Sequence, residues 1–172
     1  MNKQSLLLPS PLIRYAKKED LDSILYIYNQ GIEDRIATLE SETKERHYIE
    51  HWFEDHQERY AVLVAEYQEA IVGWASLNRY SQRCAYDGVA DLSIYIKRDY
   101  RRKGIGSLLL SALEQIALKH SFHKIILFTF PFNAPGQKLY EKLGYRTVGI
   151  FEQQGVLDGQ RIDVEIKEKI LN

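Results

Sequence analysis

Cysteine is almost missing from this chain: Cys84 is the only one in 172 residues. An internal disulfide and a cysteine-based zinc site are thereby excluded, and a reducing compartment suits the composition. Long apolar runs are missing too. Leu6-Leu7-Leu8 is too short for the hydrophobic region of a signal peptide and far too short for a membrane span. No sign of charge is in excess: 23 lysines and arginines face 24 aspartates and glutamates, for a net charge of −1. Without surplus cations to displace counterions, nucleic acid is not expected as a general partner. Together these absences predict a soluble, cytoplasmic protein with no membrane attachment. No repeat or low-complexity linker divides the chain, and its length is enough to bury one core without staples. Pro9 and Pro11 mark residues 1–12 as a loose tail, or a segment that packs on a partner subunit; residues 13–172 read as a single domain.

What the chain does contain is one organising run. Val89 to Ile96 alternates and is rich in β-branched residues, so it reads as a strand. After Gly104 the period becomes helical, with Ile105, Leu108, Leu109, Ala112 and Ile116 on one face. Between them lie Arg101-Arg102-Lys103-Gly104-Ile105-Gly106-Ser107. A strand that passes into a helix through a basic, glycine-containing turn is suited to hold phosphate. Glycine lets backbone approach a ligand, the first helical N–H groups lack internal partners, and the helix dipole adds positive charge. No Lys-Ser/Thr follows the second glycine and G-x-G-x-x-G is absent, so neither a Walker A loop nor a dinucleotide fingerprint is present.

The remaining elements read in order. Ile13–Ala16 is a short strand, and Lys17–Gly31 a helix with Asp20 as cap and Gly31 as stop. Its core face is Leu21, Ile24, Leu25, Ile27 and Tyr28. A polar loop, 32–41, contains Thr38; a second helix runs from Thr43 to about Asp55. His47 and His51 stand four apart on it, but Tyr48 occupies the place of the glutamate that a His-Glu-x-x-His zinc helix needs, so these read as surface histidines and no metal is expected. Trp52 and Trp74 read as core or subunit contacts. Strands 60–67 and 71–80 form a hairpin around Gln68-Glu69-Ala70. Lys124–Phe130 is an apolar strand, Asn133–Leu143 a helix stopped by Gly144, and strands 145–153 and 160–170 close the chain around Asp158-Gly159. This order gives an α+β fold, a mixed α/β sandwich with a hairpin-rich first half and a βαβ crossover in the second.

Arg-x-x-Gly-x-Gly after a strand resembles the pyrophosphate-binding motif of the GNAT N-acetyltransferase superfamily, and the element order from Ile13 onward resembles its fold. Within that superfamily the chain is most similar to the phosphinothricin N-acetyltransferase family. The matching pieces include Ile27-Tyr28-Asn29, Thr38 with Glu42, Val64-Ala65-Glu66, and Arg83-x-Ala85-Tyr86. Further pieces are Ser93-Ile94-Tyr95-Ile96, Asn133, Leu139-Tyr140-Glu141-x-x-Gly144-Tyr145, and Asp158-Gly159-x-x-x-Asp163-Val164. The resemblance implies a twisted, mostly antiparallel sheet of about seven strands flanked by about four helices. It implies acetyl-CoA as co-substrate, with Ile94, Tyr95 and Ile96 along the acetyl and pantetheine arm through main-chain groups. Arg101 to Ser107 would hold the pyrophosphate, and Asn133 the cofactor further along. It also implies a homodimer. Two motifs depart from the family: Asp91 stands where a glutamate is usual, and Asp158 and Arg161 stand where relatives often carry His and Trp.

The chemistry this implies is acetylation of the α-amine of a small amino-acid-like acceptor, of the phosphinothricin or methionine sulfoximine type, by direct attack in a ternary complex. Neutralising an alkylamine of pKa ~10.4 at pH 7 costs roughly 4.6 kcal/mol, so a nearby carboxylate acting directly or through a water is useful. Asp91 is the candidate base. A main-chain N–H of Tyr95 or Ile96 is the candidate oxyanion donor, a place that calls for irregular strand geometry. Tyr140 is the candidate acid for the departing thiolate. Arg83, assisted by Arg79, is the candidate for an acceptor carboxylate, because arginine makes paired planar contacts with that group; Tyr86 and Thr38 are further acceptor candidates. Cys84 lacks a His–Asp setting and is not expected to be a nucleophile. The rival acceptors are a protein N-terminus, a polyamine or an antibiotic amine. A rival of another class is a non-catalytic acyl-CoA-binding module.

Overall fold

The structure, a computed structural model, describes residues 9–57 and 59–172. Residues 1–8, most of the expected tail, lie outside the described residues. Eleven elements follow: β1 (Leu12–Tyr15), α1 (Leu21–Glu33), α2 (Arg46–Asp55), β2 (Val62–Tyr67), β3 (Ala70–Arg79), β4 (Val89–Ile96), α3 (Ile105–Lys119), β5 (Lys124–Thr129), α4 (Ala134–Lys142), β6 (Arg146–Leu157) and β7 (Gln160–Ile170). The strands form one sheet in the order β1-β2-β3-β4-β5-β7-β6. Every pairing is antiparallel except β4 with β5. The expected architecture of seven strands and four helices is what the chain forms. Among the described residues, no helix is long and apolar enough to cross a membrane.

Period-2 alternation sends one set of side chains to each face of the sheet. Leu63 and Ala65 of β2, Ala75 and Leu77 of β3, and Ala90 and Leu92 of β4 join Leu109, Leu110 and Leu113 of α3 in the larger core. Val62, Val64 and Trp74 point the other way and pack under Leu21, Ile24 and Ile27 of α1 and Ile49 of α2. The helical stripe of α3 is rotated from its expected position. Leu108 is 41% exposed while Leu110 and Leu113 are fully buried, because the sheet is met one residue further round the helix.

Several boundaries shift for identifiable reasons. A 3-10 turn at Lys18–Asp20 precedes α1, and the Asp20 carboxylate accepts from the Lys17 N–H and pairs with Arg14 rather than capping α1. Gly31 does not end α1; it lies within it, and a Cβ there would come within 2.6 Å of the Tyr95 ring. Its role is close approach. The second helix starts three residues later than expected, at Arg46. Gln68 and Glu69 both adopt positive φ, 48° and 66°, making a two-residue turn of the kind that matches strand twist. The strand β6 runs past its expected end to Leu157, because bulges between Phe151 and Gly155 absorb extra residues and keep pairing with β7. Gly144, with φ +85°, terminates α4 as expected.

Candidate active site

The one parallel pairing among the described residues places the site. β4 and β5 pair at Val89↔Lys124, Ala90↔Ile125 and Asp91↔Ile126 and nowhere beyond. From Leu92 onward β4 keeps its partner β3 on one side and faces a gap on the other. The Lys97 N–H donates to Val72 O in β3, so by strand alternation Tyr95 and Ser93 turn their main-chain groups to β3, and Ile94 and Ile96 turn theirs to the gap. The β3–β4 register is unbroken. Free N–H groups thus arise from the parting of two strands, not from the irregular strand geometry expected from sequence, and Ile96 rather than Tyr95 offers one. The Ile96 carbonyl accepts from Arg101 Nε at 3.1 Å.

The basic turn lies at the end of this gap. Arg102 and Gly104 adopt positive φ, 59° and 82°, and a Cβ on Gly104 would meet nothing within 4 Å, so that glycine serves conformation rather than space. The helix α3 starts at Ile105 with no side chain capping it, and the first bond back is Leu108 N–H to Gly104 O. The N–H groups of Ile105, Gly106 and Ser107 are thus those a helix leaves without internal partners. Gly106 has a packing role as well, since a Cβ there would sit 3.1 Å from Leu139 of α4. Arg102 and Lys103 are exposed. Arg101 differs: its guanidinium lies 2.6 Å from Asp34, which also holds Arg98 at 2.7 Å. It therefore ties α1 to the turn, a contact invisible to local pattern. The two arginines in turn hold the Asp34 carboxyl below its ordinary range despite its burial. Asn133 caps α4 through Gly136 N–H and donates to Thr129 Oγ1.

On the α1–α2 face, beside Asp91, lies a cavity of about 360 Å³. Its walls are aromatic: Trp74 stacks on Tyr95 with centroids 5.1 Å apart, and Tyr28 and Trp52 meet these rings edge-on at 5.1 and 5.2 Å. Tyr48 and Thr38 complete the wall. Trp74 is core as read from sequence, 3% exposed, and Trp52 packs against the same core; both also line this cavity. The floor is polar. Asn78 of β3 faces Asp91 of β4 in register and donates from Nδ2 to Asp91 at 3.2 Å and to Ser93 Oγ at 2.9 Å. His56, just past α2, lies 2.7 Å from Asn78 Oδ1. Sequence reasoning missed Asn78, Ser93 and His56. The first two carry a signal, alternation with Trp74 and Tyr95 along paired strands, but His56 is brought in only by tertiary packing.

Burial pushes the Asp91 carboxyl from an ordinary 3.8 up to about 6, against the opposing hydrogen bonds from Asn78 and the Leu92 N–H. Tyr140, 8% exposed on α4, is raised by burial and secondarily by the negative charge of Asp91, so it keeps its proton at neutral pH. A half-buried base poised near neutrality, within electrostatic reach of a protonated tyrosine, is suited to take a proton from an amine and return one to a leaving group.

The acceptor candidates divide. Thr38 lines the cavity. Arg79 is carried on the opposite face of β3 from Asn78, with its guanidinium over the Tyr60 ring at 5.4 Å, so within one chain it does not reach the cavity. Arg83 and Tyr86 lie in the exposed turn between β3 and β4, and Tyr86 packs on Tyr80. Asp158 of the closing turn pairs with Arg35 at 2.8 Å. A larger hollow, about 570 Å³, lies between β1, α1 and the β2–β3 turn, and among its ionic groups Arg14 is tied to Asp20 and Glu66. It holds no comparable chemistry. Among the described residues no group of three His, Cys, Asp or Glu is disposed to hold a metal ion.

The "Acetyltransferase (GNAT) family" profile matches residues 21–145. This chain belongs to the GNAT acetyltransferase family. A Bacillus subtilis protein, YwnH, provisionally named a phosphinothricin acetyltransferase, is 34% identical over 155 residues, covering 90% of this chain and 95% of its own. The L-methionine sulfoximine/L-methionine sulfone acetyltransferase of Pseudomonas aeruginosa is 29% identical over 157 residues, covering 90% and 91%. A phosphinothricin acetyltransferase of Sinorhizobium meliloti, solved in complex with acetyl-CoA, superposes with TM-score 0.89 at 26% identity, over 95% of this chain and 89% of its own.

Proposed function

We propose that the chain transfers acetyl from acetyl-CoA to the α-amine of a small amino-acid-like acceptor, by direct attack in a ternary complex. One observation carries the reading: a half-buried carboxylate, Asp91, stands at the last β4–β5 pair, between the strand gap and the aromatic cavity. In this reading acetyl-CoA occupies the gap. Its pantetheine arm runs along Ile94 and Ile96, and its pyrophosphate lies at Arg102, Lys103 and the N–H groups from Gly104 to Ser107. Asn133 acts indirectly, by holding the start of α4 beside the gap. The acceptor ammonium gives a proton to Asp91, directly or through one water. The free amine attacks the thioester carbonyl, whose oxyanion is met by the Ile96 N–H; the C–S bond breaks with Tyr140 supplying the thiolate proton, and the second proton of the attacking nitrogen, lost as the amide forms, passes through solvent and replaces the one Tyr140 gave. The co-substrate is supported by the acetyl-CoA complex of the Sinorhizobium meliloti relative, and the acceptor class by the methionine sulfoximine acetyltransferase of Pseudomonas aeruginosa.

An acceptor without a carboxylate is the second reading, because no lysine or arginine is among the residues lining the cavity. Lys44, over the Tyr48 ring at 5.3 Å, is bound to Glu40. The amino-acid reading relies on neutral donors instead: the buried Trp74 indole N–H, which has no partner, and the tyrosine hydroxyls. A homodimer belongs to the proposal. Val148, Ile150, Phe151 and Val156 give the edge strand β6 an exposed apolar surface of the kind that subunits bury, and light scattering tests it.

The deciding experiment follows thioester loss, not thiol trapping, because Cys84 is exposed and would react with a thiol reagent. Phosphinothricin and methionine sulfoximine are compared with their decarboxylated amines, amino acids, polyamines and peptides. Acetyl transfer to the first two supports the reading. Faster transfer to the decarboxylated amines selects the second reading, and no transfer to any amine removes the enzyme reading.

A further inference from the structure

His56 has no part in the acetyl-transfer scheme, yet each of its ring nitrogens faces an acceptor. Nδ1 lies 2.7 Å from the Trp52 carbonyl, and Nε2 lies 2.7 Å from Asn78 Oδ1. The carbonyl can only accept. The Asn78 oxygen is identified by chemistry: its amide nitrogen must face Asp91, whose ionised carboxylate accepts only, and so Oδ1 is left for the Ser76 hydroxyl and for His56. An imidazole with acceptors at both nitrogens donates from both, which is the cationic form. The helix setting agrees. The Trp52 carbonyl belongs to the last turn of α2, where carbonyls lack internal partners and the dipole favours positive charge.

We infer that His56 is a positioning residue for the base, holding the Asn78 amide with its N–H toward Asp91 so that Asp91 stays an ionised proton acceptor. The chain of contact is Trp52 carbonyl, His56, Asn78, Asp91. If His56 is removed, the amide keeps only the hydroxyls of Ser76 and Ser93 besides Asp91, and each hydroxyl can donate or accept, so Asn78 can turn its oxygen to Asp91, an arrangement that favours the protonated carboxyl. The other titratable groups lining this cavity are Glu40, Tyr28, Tyr48 and Tyr95. Glu40 is engaged by Lys44, and Tyr28 and Tyr95 are raised by burial and remain neutral. Asp91 is therefore the anion to which a cationic His56 answers.

The inference rests on Asp91 being the base, but its first test does not. Ring-nitrogen NMR of the full chain at pH 7, without substrate or cofactor, reads the protonation of His56, with the resonance assigned by its loss in His56→Gln. Two protonated ring nitrogens in the wild type and one in Asp91→Asn are expected. A single protonated nitrogen in the wild type at pH 7 overturns the inference, whatever the acceptor proves to be. The second test compares His56→Leu, which lacks the donor, with His56→Gln, which keeps an N–H donor but no charge. In kcat/KM against pH, His56→Leu moves the acid limb upward by about one pH unit, which is roughly a fivefold loss at pH 6 and little at pH 8.5. His56→Gln recovers most of that loss. An equal loss at every pH in both variants, with circular dichroism showing both folded, also overturns it.

Discussion

Replacing Asp91 with asparagine removes the charge at the centre of the site while keeping its shape and its ability to accept from Asn78. In the folded chain the Asp91 carboxyl titrates at about 6 instead of 3.8, burial being the cause. The folded state therefore binds this proton more tightly than the unfolded state, and ionising Asp91 costs stability as pH rises between about 4 and 6. At 1.36 kcal/mol per pH unit, the cost is at most about 3 kcal/mol above pH 7. At pH 5 the folded carboxyl is still largely protonated, and linkage reduces the cost to about half. Asp91→Asn avoids it. The variant should gain up to about 3 kcal/mol in urea unfolding at pH 7.5 and about half of that at pH 5. For a domain of this size that corresponds to a Tm rise of roughly 6–12 °C at the higher pH. The same variant should lose about 10²- to 10⁴-fold in kcat/KM, the usual worth of a general base. A gain of the same size at both pH values would show that the effect is not ionisation, and a loss of stability at pH 7.5 would show that the carboxylate is a structural anchor. Either result refutes the assignment of Asp91 as a destabilised, functional carboxylate.

Three further outcomes follow from the same geometry. The wild-type pH profile of kcat/KM should fall on the acid side with a midpoint near 6, as Asp91 takes up its proton; a limb below pH 5 would point to another base. Gly31→Ala should destabilise by about 1–3 kcal/mol and raise the acceptor KM more than the acetyl-CoA KM, because the added Cβ would lie 2.6 Å from the Tyr95 ring that walls the cavity. Chemical unfolding and steady-state kinetics read both parts, and an unchanged acceptor KM would count against the cavity as the acceptor site. The double change Arg102→Ala and Lys103→Ala should raise the acetyl-CoA KM roughly tenfold, with a weaker dependence on salt than the wild type. These are exposed cations whose contribution is screened. Unaltered stability is expected, since neither side chain is in an ion pair among the described residues.

The fold was legible because its signals are local. Alternation in Val89–Ile96, the change to helical period after Gly104, and the turn at Asp158-Gly159 each depend on a few neighbours, and the structure forms these elements where the pattern puts them. Errors fall where a distant partner decides. Gly31 reads as a helix stop, yet α1 continues through it because Tyr95 needs the missing Cβ. Arg101 reads as a phosphate ligand, yet Asp34, sixty-seven positions earlier, holds it. The site was half legible for the same reason. Asp91, the gap beside Ile94 and Ile96, and the basic turn lie on one continuous run, but the aromatic cavity combines α1, α2, β3 and β4. Arg79 shows the limit most clearly. Residue type suggests a carboxylate ligand, and only strand parity reveals that it faces the other side of the sheet from Asn78.

Strand parity also explains how one strand can serve two ligands. Along β4 the side chains of Asp91, Ser93 and Tyr95 face the cavity, while the main-chain groups of Ile94 and Ile96 face the gap. These directions are perpendicular and use different residues. A substitution in the cavity wall, at Tyr28, Trp52 or Thr38, can therefore alter which acceptor fits without touching the main-chain groups on the gap side. The reverse also holds: the gap depends on β4 and β5 parting after Asp91↔Ile126, a property of the whole sheet that no single wall residue sets. Asp91 is the exception, because it occupies the last paired position and its carboxylate reaches the cavity floor. The short reach of an aspartate side chain matters for that reason. The fixed point on β4 leaves a methylene less of reach than a glutamate there would have. A bound water between Asp91 and the amine is the simplest way to span it, and solvent isotope effects on kcat/KM below pH 7 should then exceed those of Asp91→Glu, in which the carboxylate reaches the amine directly.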